Sequence, residues 1–197
     1  MVILPFNAGI NSHPMAQLIK APLAGVLEIF PRIFEDQRGY FFESYRADWL
    51  KSEGVAHDWV QDNQSFSQKG TVRGLHFQKG EFAQAKLVRV IQGKVLDVVV
   101  DLRKGSPTFG EKYSTILDTE RNNLMYVPAG FAHGFSVLED AIFAYKCSNY
   151  YHKESEGGIL WNDPALAIDW QVNVPITSEK DAVWPTLEEF KISEGGL

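Results

Sequence analysis

From Val26 onward, short apolar runs rich in Val, Ile, Phe and Tyr alternate with Gly, Asn, Asp and Pro punctuation, the texture of an all-β domain. Residues 87–91 and 95–100 are two such runs, and they flank Gln92, Gly93 and Lys94. That arrangement predicts a hairpin with Gly93 at a position of positive φ. Residues 114–117, 124–127 and 141–145 continue the series of strands. Two segments, 46–53 and 186–192, predict short helices. Residues 1 to about 20 carry Pro5, Asn7, Gly9, Asn11, Ser12 and Pro14, which break any period and predict an N-terminal arm. No linker, repeat or low-complexity stretch divides residues 21–197, so they read as one domain. Short strands joined by long polar connections suit an all-β, double-sheet jelly roll with a few short helices.

Composition narrows the field. At 197 residues, 45% hydrophobic and 22% charged, the chain suits one domain with a sizeable core and argues against intrinsic disorder. No stretch approaches the roughly 20 apolar residues a membrane span needs, so no membrane partner is expected. No basic segment followed by an apolar core opens the chain, so no secretory signal is expected either. The lone cysteine, Cys147, fits a reducing compartment, and the expected location is the cytoplasm. Nineteen Lys and Arg against 25 Asp and Glu give a net charge of −6, which argues against nucleic acid as a partner. A few converging cations can still build a site for a small anion.

In a β barrel, charged groups inside strand-like or Gly-rich segments are the informative ones. Arg73 and His76 interrupt the run Thr71-Val72-Arg73-Gly74-Leu75-His76-Phe77-Gln78. The segment from Pro128 to His133 has the P-x-G-x-x-H spacing by which cupin-type barrels turn a histidine inward. A cupin metal site also wants an H-x-H pair, but His76 is followed by Phe77 and Gln78, and His13, His57 and His152 lie in polar stretches without ligand spacing. No metal is expected. A buried histidine then becomes an acid-base candidate, because histidine titrates near working pH. It needs a carboxylate to fix its tautomer; Asp163 and Asp181 both qualify, and spacing does not choose between them. Tyr145, Tyr150 and Tyr151 are the candidate tyrosines. Arg38 and Arg73, each beside a glycine, and Lys86, inside an apolar run, are candidate anion-binding cations. Cys147 reads as a small core residue.

Several motifs in order resemble the dTDP-4-dehydrorhamnose 3,5-epimerase family over about Val26 to Trp184. They are Asp36-Gln37-Arg38-Gly39-Tyr40-Phe41-Phe42-Glu43, Val60-Gln61-Asp62-Asn63-Gln64-Ser65, Arg73-Gly74-Leu75-His76-Phe77-Gln78, and the stretch Pro128-Ala129-Gly130-Phe131-Ala132-His133-Gly134-Phe135. Tyr145-Lys146, Asn149-Tyr150-Tyr151, Trp161-Asn162-Asp163-Pro164 and Ser178-Glu179-Lys180-Asp181 complete the set. The resemblance implies a cupin-like jelly roll, usually a homodimer, that acts on a dTDP-4-keto-6-deoxy sugar without metal or organic cofactor. By position, His76 is similar to the family's catalytic base, with Asp181 as its partner. Tyr145 resembles the general acid on the opposite face of the sugar, and Lys86 the residue beside the ketone oxygen. Arg38, Glu43, Gln61, Asn63, Arg73, His133, Glu156 and Lys180 match nucleotide-sugar binding positions, and Tyr151 the aromatic that stacks near the thymine. The chain departs from the family in its N-terminal arm, in Gln64 where histidine is frequent, and in a one-residue contraction between His133 and Tyr145. The rival within enzymes is a mono-epimerase inverting only carbon 3 or carbon 5. A non-catalytic cupin would dispense with His76, Asp181 or Tyr145, and all three are present.

Overall fold

The computed structural model describes Ser12, His13 and residues 15–197. In chain order its elements are β1 (Ser12–His13), β2 (Ala16–Lys20), β3 (Leu27–Pro31), β4 (Phe34–Asp36), β5 (Gly39–Phe41), α1 (Ala47–Lys51), β6 (Gln61–Ser67), β7 (Val72–Gln78), β8 (Lys86–Asp101), β9 (Lys112–Asp118), β10 (Leu124–Val127), β11 (Phe131–Cys147), β12 (Glu156–Gly158) and α2 (Leu187–Glu194). Single 3₁₀ turns form at Gly80–Phe82 and Lys153–Ser155. β4 and β5 make a separate exposed hairpin, and the other ten strands share one hydrogen-bonded sheet.

That sheet folds into two layers because β8 and β11 run through both. The first half of β8 pairs with β10 and the second half with β9. The first half of β11 pairs with β7 and the second half with β6. Between the layers lie Val88, Val90, Val95, Val99, Phe131, Phe135, Val137 and Phe143. The outer face of one layer is covered by Trp49 and Leu50 of α1, which pack on Ile29, Leu87, Leu124 and Tyr126. Phe190 of α2, with Leu166 and Trp170 from the segment before it, covers the other, packing on Leu75, Phe77, Val98 and Val100. Strands buried on both faces need no alternation, which is why Val98, Val99 and Val100 are all apolar and all fully buried. The result is the expected jelly roll.

One expectation fails. Residues 87–91 and 95–100 are not the arms of a hairpin but parts of the single strand β8. Gly93 does adopt a positive φ of +83°, yet it does so within a bulge against β11, where a Cβ would lie 2.1 Å from the Asp140 carbonyl oxygen. The β8–β11 register shifts at the same place, between Val137 and Phe143. A hairpin would have kept both runs in one layer; the bulge bends the strand so that each half enters a different layer. The two predicted helices do form, as α1 and α2, the second closed by a capping box between Thr186 and Glu189. Of the N-terminal arm, residues 1–11 and Pro14 lie outside the described residues, while Ala16–Lys20 is a strand paired with β3.

Candidate active site

Charged side chains converge where β7, β8, β11 and the segment before α2 meet. β7 and β11 approach closely at Gly134, where a Cβ would sit 2.7 Å from the Arg73 carbonyl oxygen and 2.9 Å from Gly74 Cα. Only glycine permits that approach, and it brings His76 and His133 opposite each other on neighbouring strands. Both histidines line a cavity of about 260 Å³ together with Ser65, Arg73, Lys86, Phe143, Tyr145, Ser178, Lys180 and Asp181. A second cavity of about 300 Å³ shares His76, Lys86 and Tyr145 with the first and adds Gln61, Asn63, Tyr151 and Glu156. Polar, adjoining clefts of this size suit a ligand with several charged parts.

The His76 ring accepts its orientation from Asp181. Nε2 lies 2.5 Å from Asp181 Oδ1, and the carboxylate is only 4% exposed while the imidazole is 29% exposed. The chain reaches this position because Ile176 bridges the start of β7, donating to Gly70 O and accepting from Val72 N. A turn from Ser178 to Asp181 then swings the carboxylate under the ring. Burial raises the Asp181 carboxyl, but bonds from His76, Ser178 and the Gly74 backbone outweigh it and hold the group below the ordinary carboxylate range. Trp184 packs edge-on against His76, with ring centroids 6.4 Å apart. Asp163, the other carboxylate spacing left open, serves elsewhere: it accepts from Leu187 N at 2.6 Å and Ala165 N at 2.8 Å, capping α2 and a turn.

Tyr145 enters from the second half of β11, thus from the layer opposite the one carrying His76. Burial pushes its phenol up, so the hydroxyl keeps its proton, with Cys147 and Glu156 adding to the shift and Arg73 opposing it. Lys86 begins β8, and its ammonium lies 5.9 Å from the Tyr145 ring centre. Burial lowers the Lys86 value, against the pull of Cys147, Asp97 and Glu156. Tyr150, by contrast, is exposed and absent from either cavity.

Around the second cavity the polar residues are knitted together. Lys180 Nζ donates to Glu156 Oε1 at 2.5 Å, and Tyr151 Oη to Glu156 Oε2 at 3.0 Å. Gln61 accepts from the Tyr151 backbone and donates to Asn63, each at 3.0 Å. Arg73 lines the first cavity and its Nε donates to Ser67 Oγ at 3.0 Å. Arg38 and Glu43 are not brought to either cavity within one chain. Arg38 is spent on a fork to Asp36 at the tip of the β4–β5 hairpin, and Glu43 accepts from Arg46 at 3.1 Å. Among the described residues no three His, Cys, Asp or Glu side chains converge as a metal-ligand set.

Sequence reasoning missed one member, Asp97. It is fully buried and its Oδ1 lies 2.6 Å from His133 Nε2. A charge inside the apolar run Val95-Leu96-Asp97-Val98-Val99-Val100 is the same kind of signal that singled out His76, and it was there to be read.

Comparison with known proteins gives the family. The family model described as dTDP-4-dehydrorhamnose 3,5-epimerase matches residues 20–189. A protein of that name from Salmonella typhimurium is 47% identical over 91% of this chain and 100% of its own length. The crystal structure of one from Elizabethkingia anophelis superposes with a TM-score of 0.85 at 48% identity, covering 89% of this chain and 98% of that one. A 3'-monoepimerase from Streptomyces bikiniensis, in complex with dTDP-quinovose, is more distant at 35% identity and a TM-score of 0.81, covering 88% and 90%. With a jelly roll, a carboxylate-bound histidine and a facing tyrosine on the same scaffold, the chain belongs to the dTDP-4-dehydrorhamnose 3,5-epimerase family.

Proposed function

We propose that the protein inverts carbons 3 and 5 of dTDP-4-dehydro-6-deoxy-D-glucose, giving dTDP-4-dehydro-L-rhamnose. A ketone at carbon 4 acidifies the hydrogens on both neighbours, because either carbanion delocalises as an enolate. The His76 ring nitrogen that Asp181 leaves free takes the proton from one face, the electron pair moves onto the ketone oxygen, and Tyr145 returns a proton to the other face. The second carbon follows by the same steps after solvent resets the two groups. Lys86 stabilises the enolate oxygen, Arg73, His133 and Lys180 bind the diphosphate, and Gln61, Asn63, Glu156 and Tyr151 hold the nucleoside end. The observation that carries this reading is the His76–Asp181 pair at 2.5 Å facing Tyr145, which comes from the opposite layer, across one cavity. Replacing His76 with Ala should lower kcat by about 10²- to 10⁴-fold with nucleotide-sugar binding retained. A His76→Ala enzyme with wild-type turnover rules the base assignment out.

The working unit in this reading is a homodimer. Arg38 and Glu43 then serve the nucleotide from the β4–β5 region of one subunit at the site of the other. Exposure of Phe34, Tyr40 and Phe41 on that hairpin, and of Phe66 and Ile91 on the neighbouring strands, supports it. Light scattering should give twice the chain mass, and a monomer would remove this part of the reading. A cytoplasmic location belongs to the same reading, supported by the free, buried thiol of Cys147. The mono-epimerase alternative keeps the same side chains and differs in the number of carbons inverted.

A further inference from the structure

Trp184 follows the turn that carries Lys180 and Asp181 into the site. The chain is pinned just beyond it, where Leu160 N donates to Pro185 O at 2.8 Å. Its indole lies against β12 at Gly158, where a Cβ would come within 2.6 Å of the ring carbons Cδ2 and Cε2. Gly158 is the residue opposite His76 in the β7–β12 pairing. The indole therefore fills the place beside His76 that a side chain at position 158 would take. Trp184 itself lines neither cavity, so whatever it does for a ligand there it does through its neighbours.

Two of those neighbours are His76 and Lys180. The Trp184 and His76 rings meet edge to face, with 6.4 Å between centroids and 68° between planes. Lys180 Nζ stands 5.7 Å from the centre of the indole, within reach of a cation–π attraction. The indole N–H is buried without a hydrogen-bond partner among the described residues, although a buried tryptophan usually finds one. What the residue offers is therefore its ring. Polar contacts alone leave both neighbours loose. The bond between His76 Nε2 and Asp181 fixes one nitrogen and leaves the tilt of the ring plane to packing. The Lys180 side chain is 47% exposed, and its flexible stem is held at the tip by Glu156.

We propose that Trp184 is a positioning residue of this site: one indole sets the plane of the His76 imidazole and seats the Lys180 ammonium, so that the base and the diphosphate grip share a wall. Its effect on turnover and on nucleotide affinity rests on the roles given above to His76 and Lys180. Its hold on the His76 ring does not, and it can be measured without substrate.

Trp184→Leu leaves an apolar side chain in the slot but removes the aromatic face, whereas Trp184→Phe keeps a face and drops the N–H. The His76 ring nitrogens are identified in ¹⁵N NMR by their loss in His76→Ala. In the wild type at alkaline pH, where the ring is neutral, they should show one tautomer, with the proton on Nε2 toward Asp181. Trp184→Leu should move them toward a mixture of tautomers, and Trp184→Phe should not. An unmoved tautomer in the folded Leu variant overturns the proposal. With dTDP-4-dehydro-6-deoxy-D-glucose, Trp184→Leu should lower kcat about tenfold, and the Kd for dTDP should rise about fivefold; Trp184→Phe should hold both within about threefold of the wild type. Leu and Phe variants that match one another in both quantities reduce the ring to filler and overturn the proposal, and a change in only one quantity overturns the shared wall. Should Trp184→Leu not fold, Gly158→Ala puts the same question with the indole displaced by the new Cβ: the same losses are expected, and wild-type values overturn the proposal. If the wild type does not epimerise the sugar at all, the functional reading falls while the ¹⁵N tautomer still decides the hold on His76.

Discussion

Inverting a carbon centre sets a demand on single residues, namely a base and an acid on different faces of one ring. His76 is fitted to the first role because Asp181 holds one ring nitrogen and leaves the other open. Tyr145 is fitted to the second because burial keeps its proton on. Removing that phenol should separate inversion, which needs the acid, from proton exchange, which needs only the base. Tyr145→Phe is expected to lose inversion at carbon 5 far more than proton exchange at carbon 3, read by NMR in D2O. Exchange and inversion lost in equal measure would count against Tyr145 as the acid. Lys86→Met should reduce kcat by about a hundredfold, the scale of one lost oxyanion donor at roughly 3 kcal/mol, with circular dichroism unchanged. Most of this site was legible in the sequence, since His76, Arg73, Lys86 and His133 are polar interruptions of segments a barrel would otherwise fill with apolar side chains. Spacing could not choose Asp181 over Asp163, because the choice is made by the Ile176 bridge and the Ser178 turn, both tertiary contacts. Asp97 was overlooked in a run that looked like plain core.

At the scale of elements, the two long strands make the site. β8 supplies Lys86 from one half and Asp97 from the other, and β11 supplies His133 and Tyr145 in the same way. β11 therefore brings both layers to one cavity, Asp97 reaches it only through His133, and the bulge at Gly93 lets β8 cross between the layers alongside it. Positive φ at Gly93 was readable from Gln92-Gly93-Lys94; its use in a bulge was not, because a hairpin and a bulge ask the same of that residue locally and differ only in the partner strand. Gly93→Val would put a Cβ into the Asp140 carbonyl and force a branched residue to φ +83°. It should cost about 2 kcal/mol or more of stability by urea denaturation. A Gly93→Val protein as stable as wild type would mean the bend is set elsewhere.

For the whole molecule, the C-terminal segment does more than cover a sheet. It carries Asp181 into the site and packs α2 on Phe77, one residue after His76, with the Phe77 and Phe190 rings 5.5 Å apart. Stability should also respond to acid through Asp101, at the far end of β8. Burial alone would raise that carboxyl, but bonds from Arg103, Ser106 and Thr108 outweigh it and hold it well below the ordinary carboxylate range. A folded value below the unfolded one, near 3.9, gives stability that is complete above that pH and lost as pH falls through the folded value. Asp101→Asn should therefore be less stable than wild type at pH 7, with the gap narrowing below about pH 4 in denaturation midpoints. A gap that stays constant with pH would assign the loss to shape instead of charge.

The central claim, two inversions by one His76–Tyr145 pair, is tested most directly by incubating the protein with dTDP-4-dehydro-6-deoxy-D-glucose in D2O and following carbons 3 and 5 by NMR. Deuterium at both carbons, with L-rhamno product trapped by a reductase, is the predicted result. Label and inversion at a single carbon would make the protein a mono-epimerase, and no exchange at either would contradict the account altogether.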